Sequence, residues 1–159
     1  MRKVKEILEN IITESKTIEK FYNVWKNNFL RNKIHYKSKK YDFSDLEINK
    51  KKCILVCGGG PGLQEKFDEI KKIRDSIYIA SSDTALKILI KNGITPDSVF
   101  SFDPQHFSYY HFTGFIPNNI RVFTDFISGV RLKKQTVIFS NHPFKDEFFD
   151  NAKKKISIP

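Results

Sequence analysis

The fold of this chain is decided by the stretch Cys53-Ile-Leu-Val-Cys57-Gly-Gly-Gly-Pro-Gly62. Five consecutive apolar residues ended by glycine and proline are typical of a parallel strand that is buried on both faces. A helix is predicted next, because Leu63, Phe67 and Ile70 recur at helical spacing. A strand, a glycine turn and a helix in this order indicate the first unit of an α/β fold.

The alternation of strands and helices continues along the rest of the chain. Further strands are predicted at Ser76–Ala80, Asp97–Phe102, Ile120–Thr124 and Thr136–Ser140. Helical segments between parallel strands are joined to them by right-handed crossovers. We therefore expect a Rossmann-like, mostly parallel sheet with flanking helices, although the connection from Asp125 to Gln135 is short for a crossover.

A long amphipathic helix is predicted before this core. Between Val4 and Phe29, apolar residues recur three and four positions apart, with Lys, Glu and Asn between them. The apolar stripe needs a partner, which is the following domain, a second copy of the chain or sequence outside it. From Arg31 to Lys52 little periodicity remains, which indicates a linker. We divide the chain into a basic helix and linker, residues 1–51, and a core, residues 52–159.

The composition indicates a globular, cytoplasmic protein. The chain has 159 residues, of which 40% are hydrophobic and 29% charged, as expected for one folded domain. Its longest apolar runs are too short to cross a bilayer, and no secretory signal follows Met1. Cys53 and Cys57 are too far apart on one strand to form a disulfide bond, and we interpret them as core residues.

The net charge of +10 lies mostly in residues 1–52. A basic arm of this kind suits nucleic acid, an anionic lipid or a polyanionic partner. It is also what a solvated, lysine-rich helix face looks like, and no RNA-binding signature or recognition helix accompanies it. We therefore favour the solvated helix face over a nucleic-acid partner.

The residues that follow the predicted strands define a candidate site. In an open parallel sheet, ligands bind beyond the carboxyl ends of the strands. Polar residues and glycine dominate these ends, at Gly58-Gly-Gly-Pro-Gly62, Ser81-Ser-Asp83, Asp103-Pro-Gln-His106, Asp125 and Asn141-His-Pro143. Polar loops also occur in purely structural domains, so the pattern alone favours a site only modestly.

The glycine turn is the strongest candidate for an anion site. Residues without a Cβ let the backbone approach a ligand closely and adopt unusual φ and ψ angles. The backbone N–H groups of the turn suit a phosphate at a helix N-terminus. The turn differs from the dinucleotide fingerprint because Leu63 replaces the third glycine, and it lacks the Gly-Lys-Ser/Thr of a P-loop. A tight turn without a ligand is the alternative.

Two carboxylates and three histidines are candidates for chemistry at this edge. Ser81-Ser-Asp83 is predicted to cap the helix that follows the second strand. Asp83 is placed either to accept a hydrogen bond from a ribose hydroxyl or to complement a helix dipole. Asp103 is placed to bind Mg²⁺ or ribose, or to cap the segment after it. His106, His111 and His142 are candidates for proton transfer, with a structural role as the alternative for each. Asp103, His106 and His142 are our catalytic candidates.

Four motifs occur in order between residues 52 and 106, at Cys53–Leu63, Ile79–Leu86, Leu89–Asp97 and Val99–Gln105. Together they resemble the core of the motility accessory factor (Maf) family of flagellin glycosyltransferases. That core is similar to the core of MptE-like 6-hydroxymethylpterin pyrophosphokinases. The glycine-proline turn is also similar to that of bacterial sialyltransferases that bind CMP-sialic acid.

The resemblance implies a nucleotide-binding core and transfer of a nonulosonic acid of the pseudaminic, legionaminic or sialic type. The donor would be a CMP-sugar, and the acceptor a Ser or Thr of flagellin or of another protein. The resemblance and the strand ends together give the expected nucleotide-binding residues, which are Gly58, Gly59, Gly60, Pro61, Gly62, Ser82, Asp83, Asp103 and Asn141.

Two other functions remain open from the sequence. One is a pterin pyrophosphokinase, with ATP at the same turn and Mg²⁺ on Asp103. The other is a non-catalytic nucleotide-binding or interaction module, with the basic N-terminal helix as its docking surface. The sequence departs from the Maf pattern at Gly62, where that family usually has serine. A further strand is expected after Pro159, so we interpret the core as truncated at its C-terminus, with part of the catalytic apparatus outside it.

Overall fold

A five-stranded parallel sheet forms the centre of the molecule. The computed structural model describes residues 2–35, 53–131, 136–140 and 147–154. The strands are β1 (Cys53–Cys57), β2 (Ile77–Ser82), β3 (Ser98–Ser101), β4 (Arg121–Asp125) and β5 (Thr136–Ser140). They follow one another in sequential order across the sheet, and each neighbouring pair is parallel. The predicted Rossmann-like α/β fold is confirmed, and the short connection after Asp125 does join two parallel strands.

Four α-helices accompany the sheet within the described ranges. They are α1 (Arg2–His35), α2 (Phe67–Ile73), α3 (Asp83–Lys91) and α4 (Glu147–Lys154). Helix α1 extends six residues beyond the predicted end at Phe29. The remainder of the predicted linker, residues 36–52, lies outside the described residues. None of these helices combines the length and the apolar character that crossing a membrane requires.

The sequential strand order places the crossover helices on one face of the sheet, because right-handed crossovers in one direction all lie on the same side. On that face, Ile77 and Ile79 of β2 pack with Leu89 of α3. Farther along the sheet, Val99 and Val122 pack with Leu86. These clusters form the main hydrophobic core between the sheet and helices α2 and α3.

Strand β1 differs from its prediction. It lies at the edge of the sheet, and its side chains are not buried on both faces. Ile54 is 51% exposed and Val56 is 78% exposed, since both point away from the helices. Cys57 is buried, whereas Cys53 is exposed, so the interpretation of Cys53 as a core residue is wrong. Strand order, which local sequence does not encode, decides this exposure.

Helix α1 packs on the domain that follows it. Trp25 and Phe29 form a hydrophobic cluster with Phe126, Ile127 and Phe149. Of the three partners predicted for the apolar stripe of the helix, the domain that follows α1 therefore covers the part around Trp25 and Phe29. Self-association through the helix and the domain boundary at residue 52 remain predictions.

Candidate functional site

The glycine turn leaves β1 in an extended conformation. Gly60 has φ −73° and ψ 162°, and its carbonyl accepts a hydrogen bond of 3.2 Å from the N–H of Leu63. Among the described glycines, the left-handed region is occupied by Gly93 and Gly114 and by no residue of the turn. The expectation of unusual backbone angles in the turn is therefore wrong. A 3₁₀ segment, Pro61–Lys66, separates the turn from α2.

The turn has open space above most of its glycines. A Cβ built on Gly58, Gly60 or Gly62 meets nothing within 4 Å, and the residues from Gly58 to Gly62 are exposed. Gly59 is different, because its Cβ would lie 2.7 Å from Thr84 Oγ1 and 2.9 Å from Thr84 Cβ. Gly59 is thus required for the close approach of the turn to the start of α3.

The start of α3 is fixed by hydrogen bonds among its own first residues. Ser82 is the N-cap, and its Oγ accepts a hydrogen bond of 3.2 Å from the N–H of Ala85. The hydroxyls of Ser82 and Thr84 are also within hydrogen-bond distance, at 2.8 Å. Asp83 Oδ1 accepts a hydrogen bond of 2.7 Å from the N–H of Thr84. The predicted capping chemistry is confirmed.

A hydrogen bond joins α3 to the end of β3. Ser101 Oγ donates to Asp83 Oδ2 at 2.6 Å, and Ser101 is almost completely buried. The carbonyl of Ser101 in turn accepts a hydrogen bond of 2.7 Å from Thr124 Oγ1 of β4. The glycine turn, the start of α3 and the ends of β3 and β4 therefore form one connected edge.

Asp103 lies on the exposed loop after β3. Its Oδ1 accepts a hydrogen bond of 2.9 Å from the N–H of Gln105, which forms an Asx turn; the N-cap of the following 3₁₀ segment is Gln105, and no side chain caps that segment. Its carbonyl accepts a hydrogen bond of 3.0 Å from the N–H of Gly129. A Cβ on Gly129 would lie 2.3 Å from the carbonyl oxygen of Gln105, so the loops after β3 and β4 are in close contact.

The histidine candidates are placed only in part. His106 begins the 3₁₀ segment His106–Phe112, and its side chain lies outside the described part of the structure. His111 lies in the same segment and is half-buried. Asn141 and His142 lie outside the described residues. Their roles remain predictions.

Sequence reasoning missed two buried asparagines of α1 that hold the loops of the site. Asn28 Nδ2 donates to the carbonyls of Pro104 and Ile127, both at 2.9 Å. Asn32 Nδ2 donates to two further carbonyls of the loop after β4, those of Phe126 and Ser128, both at 3.0 Å. Two asparagines on the apolar stripe of a helix were the available signal, because buried amides need polar partners.

Arg31 lies between these asparagines and contacts the same loop. Its NH2 donates to the carbonyls of Ser128 at 3.0 Å and Val130 at 3.2 Å. Burial, and then the nearby charge of Arg131, lower the pKa of the Arg31 guanidinium. Helix α1 is therefore a support of the candidate site as well as a basic surface.

Asp125, one of the strand ends that the sequence nominated, has a burial and a pKa that the sequence did not indicate. It ends β4, is only 4% exposed, and its Oδ1 has no hydrogen-bond partner among the described residues. Burial raises the pKa of the carboxyl to about 7, against the opposing effect of the backbone N–H groups of Ser128 and Ile127. A carboxyl group with this pKa can hold or release a proton near neutral pH.

The described residues contain no group of three or more His, Cys, Asp or Glu side chains placed to hold a metal ion. Mg²⁺, however, commonly uses one or two carboxylates together with substrate phosphates and water. The exposed carboxylate of Asp103 fits that simpler arrangement.

Comparisons with known proteins identify a family that matches most of this chain. Residues 27–156 match the model of a family described as 6-hydroxymethylpterin diphosphokinase MptE-like. An uncharacterized protein of Treponema pallidum (strain Nichols) is 36% identical over 70 residues, which are 44% of this chain and 33% of that protein. The structure of a Maf glycosyltransferase from Magnetospirillum magneticum AMB-1 is similar with a TM-score of 0.49 and 20% identity, over 58% of this chain and 15% of that chain. The chain thus spans a third or less of either relative.

Proposed function

Since the chain belongs to the family described as 6-hydroxymethylpterin diphosphokinase MptE-like, we propose that the carboxyl edge of its sheet binds the phosphate and ribose of a nucleotide. The observation that carries this proposal is the junction of three strand ends. Gly59 lies against Thr84, and Asp83 accepts the hydrogen bond from Ser101. Exposed backbone N–H groups and a fixed carboxylate are thereby brought together, as a phosphate and a ribose require.

The phosphate lies on the glycine turn in this proposal. The turn is exposed, and the space above Gly58 and Gly60 is open to a ligand. Backbone N–H groups bind anions without a cationic side chain. Asp83 takes a ribose hydroxyl instead, because a carboxylate repels a phosphate but accepts hydroxyl donors, and each of its oxygens can accept more than one hydrogen bond.

The donor that we favour is a CMP-activated nonulosonic acid, with a hydroxyl of flagellin or of another protein as the acceptor. The acceptor oxygen attacks the anomeric carbon as the bond from that carbon to the cytidylate oxygen breaks, and the proton of the acceptor hydroxyl passes to a base, for which Asp103, His106 and His142 are the candidates. Negative charge then develops on the departing cytidylate, where the N–H groups of the turn stabilise it. Support for this donor comes from the four motifs that resemble the Maf core.

An ATP-dependent diphosphokinase is the second candidate, and the description of the matching family favours it. The nucleotide would occupy the same turn, and its phosphates together with the exposed Asp103 carboxylate would hold Mg²⁺. The ion would neutralise charge on the transferred group. The chain's own residues would position the nucleotide through the glycine turn and Asp83.

Thermal-shift titration separates these candidates. We expect cytidine nucleotides to stabilise the protein selectively if the donor is a CMP-sugar, and ATP to stabilise it only with Mg²⁺ if the protein is a diphosphokinase. Gly60→Val should remove either shift without lowering the melting temperature of the free protein, because the added side chain enters open space. Gln64→Ala, an exposed change farther along the segment, is the control. Absence of a shift with every nucleotide would contradict both candidates and favour a non-catalytic interaction module.

A further inference from the structure

Two arginines lie close together beyond the end of β4. Arg31 of α1 donates from its NH2 group to the carbonyl of Val130 at 3.2 Å, and Arg131 is the next residue of that loop. The guanidinium of Arg131 lies over the ring of Tyr109, 5.5 Å from its centroid. The pKa of Arg31 is lowered by burial and then by the charge of Arg131, so the two charges interact. This part of the carboxyl edge therefore carries a pair of positive charges.

The guanidinium of Arg31 is held in place by hydrogen bonds to uncharged groups. Its Nε donates to Asn32 Oδ1 at 3.2 Å, and its NH1 donates to Asn28 Oδ1 at 3.0 Å. Its NH2 donates to two carbonyls of the loop after β4, those of Ser128 and Val130. Since each terminal nitrogen of a guanidinium carries two N–H donors, one donor of NH1 remains for a further partner. The side chain is half-buried, so part of it is open to solvent.

Neither Arg31 nor Arg131 forms an ion pair with a carboxylate of the described residues, whose ion pairs lie elsewhere. The carboxyl groups of Asp103, after β3, and of Asp125, at the end of β4, accept hydrogen bonds from backbone N–H groups instead. Like charges at short range repel each other, and more strongly where water is partly excluded. An anion that binds to both guanidinium groups would therefore offset an unfavourable interaction in the free protein.

Guanidinium groups favour oxyanions as ligands. Their planar N–H donors match the oxygens of a carboxylate or a phosphate, and hydrogen bonds between charged groups are stronger than those between neutral groups. Arg31 is already fixed by its hydrogen bonds, so binding of an oxyanion requires little further ordering of this side chain. Arg131 is exposed and accessible to the same ligand from the solvent side. The pair therefore suits a carboxylate or a phosphate group.

The arginine pair lies apart from the proposed phosphate site on the glycine turn. The turn follows β1 and the pair lies beyond β4, with β2 and β3 between these strands. Neighbouring strands are about 4.8 Å apart, so the two strand ends are separated by about 14 Å. Neighbouring phosphate groups of one nucleotide are much closer together than this. A phosphate on the turn therefore leaves the arginines free for a second molecule.

We propose that Arg31 and Arg131 bind a carboxylate or phosphate group of a second molecule, at the same edge of the sheet as the nucleotide. The identification of that molecule as the acceptor of the transfer rests on the proposed function, whereas the oxyanion site itself does not. An acceptor segment with an acidic residue close to its Ser or Thr has the required chemistry. Because a carboxylate and a phosphate are two sources of this chemistry, the test compares both.

Nuclear magnetic resonance tests the site at the level of single groups. The Nε–H group of Arg31 is hydrogen-bonded and half-buried, which slows its exchange with water and makes its resonance observable. The probes are inorganic phosphate and glutarate, a dicarboxylate, each compared with sodium chloride at equal ionic strength. We expect phosphate, glutarate or both to shift this resonance saturably, and chloride to leave it nearly unchanged. The backbone N–H resonances of Gly58 and Gly60 report separately on the glycine turn.

Arg131→Gln removes one guanidinium group and leaves the hydrogen bonds of Arg31 in place. We expect the oxyanion affinity measured at the Arg31 resonance to fall about tenfold or more, since a charge-assisted contact is lost. Lys71→Gln, an exposed change on α2 that lowers the net charge equally, is the matched control and should leave this affinity unchanged. Equal weakening in the two variants would show that net charge alone attracts the anion, and it would overturn the site.

The outcomes separate this site from the proposed function. A saturable shift at Arg31 that persists in Gly60→Val would support an oxyanion site independent of the glycine turn. Phosphate-induced shifts at Gly58 and Gly60 alone would overturn the arginine site and support the phosphate site. Shifts at Arg31 alone would support the arginine site and count against the phosphate site. If neither phosphate nor glutarate shifts the Arg31 resonance saturably, the arginine pair does not bind oxyanions.

Discussion

Ser101 Oγ donates a hydrogen bond of 2.6 Å to Asp83 Oδ2, across a separation of 18 residues in sequence. The donor is buried at the end of β3, and the acceptor is half-buried in the first turn of α3. This bond fixes the orientation of the carboxylate that we expect to meet ribose. It also ties the end of one strand to the helix that leaves the neighbouring strand.

The Ser101–Asp83 bond should contribute to stability. Ser101→Ala removes the donor, and hydrogen bonds to charged groups contribute about 1.5–3 kcal/mol. We expect the free energy of unfolding, measured with urea, to fall by an amount in this range. In a double-mutant cycle with Asp83→Ala, the two losses should not add, because both changes remove the same bond. Additive losses would show that the two residues do not interact in solution.

The contact between Gly59 and Thr84 gives a second test. Gly59→Ala places a Cβ within 3 Å of the threonine side chain, and overpacking of this kind costs about 1–3 kcal/mol. Gly60→Ala, one residue later, meets open space and should leave the free energy of unfolding nearly unchanged. Urea denaturation of the two variants measures the difference. Equal stability of Gly59→Ala and Gly60→Ala would contradict the close approach of Gly59 to Thr84. Because a side chain at Gly60 does not disturb the fold, substitutions at Gly60 are the suitable ones for testing ligand binding.

The support that α1 gives to the site can be tested at its asparagines. Asn32→Ala removes the amide that donates to the carbonyls of Phe126 and Ser128, and the loss of two buried hydrogen bonds costs about 1–3 kcal/mol. Asn27→Ala, an exposed change on the same helix, should have little effect and is the matched control. Hydrogen exchange of the 126–130 backbone should also become faster in Asn32→Ala. Equal exchange rates in the two variants would show that α1 does not hold this loop.

Much of the fold could be predicted because it depends on local patterns. The fifth strand has the predicted bounds, and the second extends from Ile77 to Ser82 where Ser76–Ala80 was predicted. The cap at Ser82 followed from residue type alone. The edge position of β1 could not be predicted in this way. The same apolar run is compatible with a central strand and with an edge strand that has an open apolar face. Strand order is set by pairing between strands that are far apart in sequence, which the local hydrophobic periodicity does not indicate.

The sequence predicted only those parts of the site that are formed by residues close together in the chain. The strand ends named the glycine turn, Asp83 and Asp103, and the structure joins the first two at one edge. The hydrogen bond from Ser101 and those from Asn28 cross 18 to 99 residues of sequence, so no spacing rule indicates them. The packing of Gly59 against Thr84 was not predicted, because the sequence shows that Cβ is absent but not which neighbour requires its absence.

The buried carboxyl of Asp125 should make stability depend on pH. Its pKa is raised to about 7 in the folded protein, from an ordinary value of 3.8. Between these two values the unfolded chain releases the proton and the folded protein retains it, so stability falls as pH rises from about 4 to about 7. Above pH 7 both states are ionised, and the loss becomes constant. Each unit of the upward shift corresponds to about 1.4 kcal/mol.

Asp125→Asn removes this titration and leaves the other titrating groups in place. We expect the free energy of unfolding of the variant, relative to the unmodified protein, to rise between pH 4.5 and 7 and to stay level from pH 7.5 to 8.5. Urea denaturation across this range measures how the difference in free energy of unfolding changes with pH. A constant loss of stability caused by the asparagine amide does not affect this slope. Glu147→Gln, an exposed change on α4, is the control and should give a parallel curve. Parallel curves for Asp125→Asn as well would show that the carboxyl is ionised in the folded protein at pH 5, against the burial described above.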